Sequence, residues 1–165
     1  MSVPMTLKLF GFNVSLMNCE WSGWYPIFDS DTGKPTGVVD AAVFFKLDMW
    51  REIPIEDKLV CLSFQQKKRL NLGRGGAILT DNEEYYRLLK RLVHDGRNSK
   101  IYHGDEIENR AEDIIVGFHS YLEPEKAAKG IQMLNQSHYL PPFKNHGWRD
   151  YPDLLKLNIL KHERK

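Results

Sequence analysis

Short apolar, β-branched runs recur along the chain, and each predicts a strand: TLKLFGF near residue 6, TGVVDAA at 36–42, KLVCLSF at 58–64 and GGAILT at 75–80. Between the first two lies WSGWYPIFDSDTGKP, which sets Trp24 and Phe28 four apart and ends in Thr-Gly-Lys-Pro, a helix-stop signal. Strand, short helix, strand is the expectation there, with Pro26 in the first turn of the helix. A three-to-four-residue rhythm takes over in DNEEYYRLLKRLVHDGR. Asp81 and Glu84 have capping-box spacing, Tyr85, Leu88, Leu89, Leu92 and Val93 predict one buried face, and Gly96 supplies the stop. A second helix is expected in EPEKAAKGIQMLNQ, with Pro124 in its first turn and Ala127, Ile131 and Leu134 on one side. Residues 137–165 carry prolines, aromatics and a charged end, and read as an irregular tail hugging the surface, with Trp148, Tyr151 and Pro152 as docking contacts. Strands interleaved with helices make the class α/β.

Composition narrows the function only a little. At 165 residues, 42% hydrophobic and 27% charged, the chain suits one soluble domain with a real core. Its 23 basic and 22 acidic residues leave a net charge of +1, which gives no bulk electrostatic case for nucleic acid or a membrane surface. No apolar run approaches a membrane span, and the N-terminus lacks the layout of a signal peptide. Cys19 and Cys61 lack CxxC spacing and are too few for a disulfide framework, so a reducing, cytoplasmic setting is expected. The histidines show no spacing expected of a metal site.

Candidate chemistry concentrates in CLSFQQKKRLNLGRGGAILTD, residues 61–81, where adjacent lysines stand between two apolar runs. A phosphate-binding P-loop would need Lys-Ser or Lys-Thr after the glycines, but Gly76 is followed by Ala77 and Ile78. A dinucleotide fingerprint would need a third glycine where Ile78 stands. A plain hairpin with a basic turn is one remaining reading. The other is a Schiff-base lysine serving pyridoxal phosphate. That chemistry needs an amine at the end of a rigid strand, a carboxylate facing the pyridine nitrogen, and hydroxyls or backbone amides for the phosphate. Lys68, Asp40 and Ser63 are the candidates, and the glycines after Lys68 would let backbone pass close beside a cofactor.

The segment Ser63-Phe64-Gln65-Gln66-Lys67-Lys68-Arg69-Leu70-Asn71-Leu72-Gly73-Arg74-Gly75-Gly76, followed by AILTDNEE, resembles the lysine motif of the DegT/DnrJ/EryC1/StrS sugar aminotransferases. Asp40-Ala41-Ala42, 28 residues before Lys68, resembles that family's Asp-Ala-Ala, and RLVHDGR and IVGFHSYLEPEKAAKGIQML resemble later segments. The likeness covers about residues 8 to 135 and implies a partial member, because the family's chains are typically more than twice this long. It implies part of the large domain of a fold-type I pyridoxal-phosphate transferase over 1–136, a central, mostly parallel sheet flanked by helices. It also implies a cofactor-bearing Lys68 that shuttles a proton, Asp40 on the pyridinium nitrogen and Ser63 on the phosphate. His119 takes the position of an Asn that reaches the neighbouring subunit's cofactor. The reaction implied moves an amino group from glutamate or glutamine to a keto-sugar, usually nucleotide-linked, in a homodimer or with a partner chain completing the site. Arg74 and His119-Ser120-Tyr121 depart from the family's Glu and Asn-Tyr-Arg.

Two rivals stay open: a non-catalytic remnant acting as a binding or oligomerising module, and an unrelated α/β domain with a basic hairpin. Each residue also has an ordinary role available. Asp40 could cap a helix after its strand, and Ser63 could bond to backbone. Lys67 and Arg69 read as solvated flanks, His94 as favourable to a helix C-terminus, and His119 as a packed or exposed loop residue.

Overall fold

A computed structural model describes residues 2–17, 22–97, 114–136 and 153–160. Its first element, α1 (Ser2–Leu9), is a helix where the apolar run predicts a strand. Pro4 is buried in the first turn, where a missing amide leaves nothing unpaired. Gly11, at φ +83°, ends the helix: its N–H donates to the Lys8 carbonyl (3.0 Å), and the Phe12 N–H donates to the Leu7 carbonyl (3.0 Å). That paired closure needs a left-handed residue, which glycine supplies without a Cβ clash.

The next segment reverses the expectation again. Tyr25–Phe28 is strand β1, not a helix, and it pairs antiparallel with β2 (Pro35–Asp40). The turn between them overrides the helical spacing of Trp24 and Phe28. Asp29 accepts from the Thr32 N–H (2.8 Å), the Asp31 N–H (3.1 Å) and the Thr32 hydroxyl (2.8 Å), folding the chain back on itself. Those donors, the Thr32 amide first and its hydroxyl next, hold the Asp29 carboxyl below its ordinary range. What reads as a helix stop is the hairpin turn.

Strand β3 (Leu59–Ser63) runs parallel to β2, and β4 (Gly76–Leu79) returns antiparallel to β3, giving the order β1-β2-β3-β4. One of the three pairings is parallel, so the sheet is mixed rather than mostly parallel. The crossover from β2 to β3 holds a single 3₁₀ turn, Met49–Glu52, in place of a flanking helix. Its Ala41, Phe44, Met49 and Ile53 pack on Val39, Val60 and Leu62 and make most of the core. Lys58 is buried beneath this crossover. Its ammonium donates to the carbonyls of Ile53 (2.7 Å) and Trp50 (2.9 Å) and lies 4.1 Å from the centre of the Trp50 ring.

Helix α2 (Glu83–Leu92) is capped by Asn82 rather than by Asp81: the Asn82 carbonyl oxygen accepts from the Glu84 and Tyr85 amides at 3.0 Å each. No α2 side chain is fully buried among the described residues: Leu89 and Leu92 are half-buried while Leu88 stays 43% exposed, so the expected buried face is only partly covered. Helix α3 (Pro124–Asn135) turns a different side inward from the one its aliphatic spacing suggests. Gly130 is buried, and a Cβ there would stand 3.1 Å from Leu72 Cδ1, so the helix approaches through its glycine. Met133 then meets the core, while Ile131 faces outward at 60% exposure. The described end of the chain forms two 3₁₀ turns, Leu154–Lys156 and Asn158–Leu160, with Leu160 buried. Cys19, Trp148, Tyr151 and Pro152, with the rest of the expected tail, lie outside the described residues. No helix among the described residues is long and apolar enough to cross a membrane.

Ile53 is fully buried in the crossover and touches both central strands' cluster. Ile53→Ala is expected to lower unfolding free energy by about 2–5 kcal/mol, read as a reduced urea midpoint with an unchanged slope.

Candidate functional site

The parallel pair β2–β3 decides which side chains share a face. Val39 opposes Val60 and Asp40 opposes Cys61, while Val39, Val60 and Leu62 are buried. Side chains alternate along a strand, so Asp40, Cys61 and Ser63 lie together on the other face, at the carboxyl ends of the two strands. Asp40 accepts on both oxygens: Oδ1 from the Ala42 N–H (2.8 Å) and Oδ2 from the Tyr25 hydroxyl (2.8 Å). Burial, with a smaller push from the Asp40 charge, raises the pKa of the Cys61 thiol. That shift disfavours the thiolate at Cys61. The Ser63 hydroxyl accepts from the Gln65 N–H at 3.4 Å and retains its own proton for donation.

Lys68 follows in a tight turn, where its N–H donates to the Gln65 carbonyl (2.8 Å). The loop is closed at its base by a Gln65–Gly73 bridge, by Phe64 N–H to the Gly75 carbonyl (2.9 Å) and by Leu72 N–H to the Phe64 carbonyl (2.9 Å). Leu70 and Leu72 are buried and anchor it to the core. Arg69, far from a free flank, donates to the Phe45 carbonyl at 3.1 Å. Lys67 is exposed and Lys68 half-buried. Among the described residues the Lys68 amine has no hydrogen-bond or ion-pair partner. Asp40 and Ser63 thus share a face at the carboxyl ends of β2 and β3, Lys68 lies in the turn that follows β3, and among the described residues no direct bond joins the three.

A second cluster joins two segments far apart in sequence. His94 and His119 form an antiparallel bridge, the Asp95 N–H donates to the Phe118 carbonyl (3.0 Å), and the Phe118 N–H donates to the Leu92 carbonyl (2.6 Å). The approach is close enough that a Cβ at Gly96, whose φ is +79°, would run into the Ile115 carbonyl. The Asp95 carboxylate accepts from His119 Nδ1 (3.2 Å) and Arg97 (2.9 Å). A carboxylate only accepts, so Nδ1 is the donor to Asp95, and Nε2 meets the Tyr121 hydroxyl at 3.0 Å. His94 bonds the Lys90 carbonyl through Nδ1 (2.9 Å), the helix-end role expected of it, and stacks on Tyr121. Beside this cluster runs an open groove of about 420 Å³, with Arg74, Gly76, His119, Tyr121, Glu123 and Lys126 among its lining. Gly76 pairs with Ser63, so the groove abuts the lysine edge. No group of three or more His, Cys, Asp or Glu among the described residues could hold a metal ion.

Tyr25, Asp95 and Tyr121 escape a sequence reading. Tyr25 reaches Asp40 only because β1 is a strand. Asp95 and His119 are 24 residues apart, with no motif that pairs them.

A mixed α/β chain with a rigid lysine turn at the carboxyl edge of parallel strands is the class that fold and site define. The sequence pattern of the DegT/DnrJ/EryC1/StrS aminotransferase family matches residues 51–157, well over half of the chain, and the chain belongs to that family. Ser63, Lys68 and His119 fall inside the match, while Asp40 precedes it. No curated protein matches the chain, and no solved structure does.

The hydrogen bond from His119, and then the one from Arg97, hold the Asp95 carboxyl below its ordinary range. A carboxyl lowered in the folded state contributes stability that is complete above the unfolded value, about 4, and drains away as pH falls through the lower folded value. Wild-type stability should therefore drop more steeply below pH ~4 than that of Asp95→Asn, as thermal melts across an acid series would show.

Proposed function

We propose that the chain works as a pyridoxal-phosphate-dependent aminotransferase of fold type I, with Lys68 as the amine that carries the cofactor. The observation that bears most weight is a half-buried amine with no partner among the described residues, on a turn pinned by Leu70 and Leu72 that directly follows the strand carrying Ser63. The residues fit the group. The Lys68 nitrogen is not taken up by any hydrogen bond or ion pair among the described residues, so it is open to a carbonyl carbon. Each Asp40 oxygen has a lone pair beyond those already used, so the carboxylate can face a pyridinium nitrogen. The Ser63 hydroxyl proton is available to a phosphate oxygen. When bound, the cofactor supplies an aldehyde that captures amines and a ring that accepts electrons.

In this reading Lys68 takes and returns the proton at the substrate's α-carbon, and Asp40 keeps the ring nitrogen protonated. Ser63 fixes the phosphate end. The amino group passes from glutamate or glutamine to a keto-sugar, usually nucleotide-linked, by analogy with the family. A homodimer or a partner chain would complete the site, and His119 would reach a neighbour's cofactor. The cytoplasm is the proposed setting, in keeping with a sequence poor in cysteine.

A second reading, a non-catalytic member acting as an oligomerising module, draws on the partly uncovered apolar side of α2, where Tyr85, Tyr86 and Leu88 are exposed. Titrating the purified chain with pyridoxal phosphate separates the two. The first expects a band shifted from that of the free cofactor, and after borohydride reduction a single peptide labelled at Lys68. Lys68→Ala should lose both. Label scattered over surface lysines, or no band, would leave the second reading standing.

A further inference from the structure

We propose that Tyr25 is a positioning residue for Asp40: its hydroxyl sets the plane of the carboxylate that faces the cofactor's ring nitrogen. The inference rests on the pyridoxal-phosphate reading above. Tyr25 and Asp40 are directly opposed across the antiparallel β1–β2 pair, so both side chains lie on the same face. The Tyr25 hydroxyl reaches Oδ2 at 2.8 Å, and the Ala42 amide reaches Oδ1 at 2.8 Å.

A carboxylate held through one oxygen can still swing about its Cβ–Cγ bond. Held through both, by donors on different strands of chain, it keeps one orientation. The Ala42 bond is local, two residues along, and forms wherever the chain turns after β2. The Tyr25 bond spans 15 residues and depends on the hairpin. Neither bond exhausts its oxygen, so a ring N–H can still be accepted.

The test is a double-mutant cycle on pyridoxal phosphate affinity, read by absorbance titration of wild type, Tyr25→Phe, Asp40→Asn and the double variant. Tyr25→Phe keeps the ring and its strand pairing, and a melting curve checks that it stays folded. In the wild-type background it should weaken binding about tenfold, the scale of one charge-assisted hydrogen bond, and in the Asp40→Asn background it should change little. Equal loss in both backgrounds would mean that Tyr25 acts through packing alone, and would overturn the proposal. So would a Tyr25→Phe chain that binds as wild type does. If Asp40→Asn abolishes uptake, the pH profile of the bound cofactor's absorbance decides. A profile displaced in Tyr25→Phe supports the positioning role, and one superimposed on wild type overturns it. A wild-type chain that takes up no cofactor sinks the aminotransferase reading itself, and this inference with it.

Discussion

Val39 and Val60 lie opposite each other on adjacent parallel strands, both fully buried. Most of what this chain presents follows from that contact. Burying the pair commits Leu62 to the same side and turns Asp40, Cys61 and Ser63 to the other. A slip of one residue would drive the Asp40 carboxylate into the core, where an unpaired charge is prohibitive. The hydrophobic register therefore places the polar edge, and no separate interaction has to hold Asp40 and Cys61 level.

The same division explains how adjacent lysines can sit between two apolar runs. The loop after β3 goes inward only through Phe64, Leu70 and Leu72, which are buried, while Lys67 stays exposed and Lys68 half-buried. Anchors flank the charges on either side, so the backbone is rigid where the amine is carried. The buried ammonium in this structure belongs to Lys58, which meets two carbonyls and an indole face and closes the crossover. Two lysines ten residues apart thus differ in their surroundings: Lys58 satisfies its donors inside, while the half-buried Lys68 amine has no partner among the described residues.

The lysine edge and the Asp95–His119–Tyr121 cluster are neighbours through the Gly75–Gly76 segment, which pairs with β3 on one side and lines the groove on the other. Family membership covers both, since the match begins before the lysine loop and ends beyond α3. Arg74 on this segment and His119, Ser120 and Tyr121 opposite it line the same groove.

Strands β2, β3 and β4, helices α2 and α3, and the lysine motif were legible in the sequence. Each is specified by contiguous residues: β-branched runs, a helical repeat, a proline in a first turn. The first 34 residues were not, because local signals conflict there. Gly11 and Pro4 favour a helix in a run that looks like a strand, and the Asp29–Thr32 turn outweighs the four-residue spacing of Trp24 and Phe28. Nor could a one-dimensional pattern say that α3 would dock through Gly130 instead of Ile131, since close approach to Leu72 counts for more than aliphatic spacing. By itself the sequence determined which residues could do chemistry, Lys68, Asp40 and Ser63 with their motif and family. Only the tertiary structure decided what surrounds them: Tyr25 on Asp40, Arg69 on a carbonyl, Asp95 on His119. Those partners are 15 to 24 residues apart, and only the closing of hairpin, crossover and bridge brings them within hydrogen-bond reach.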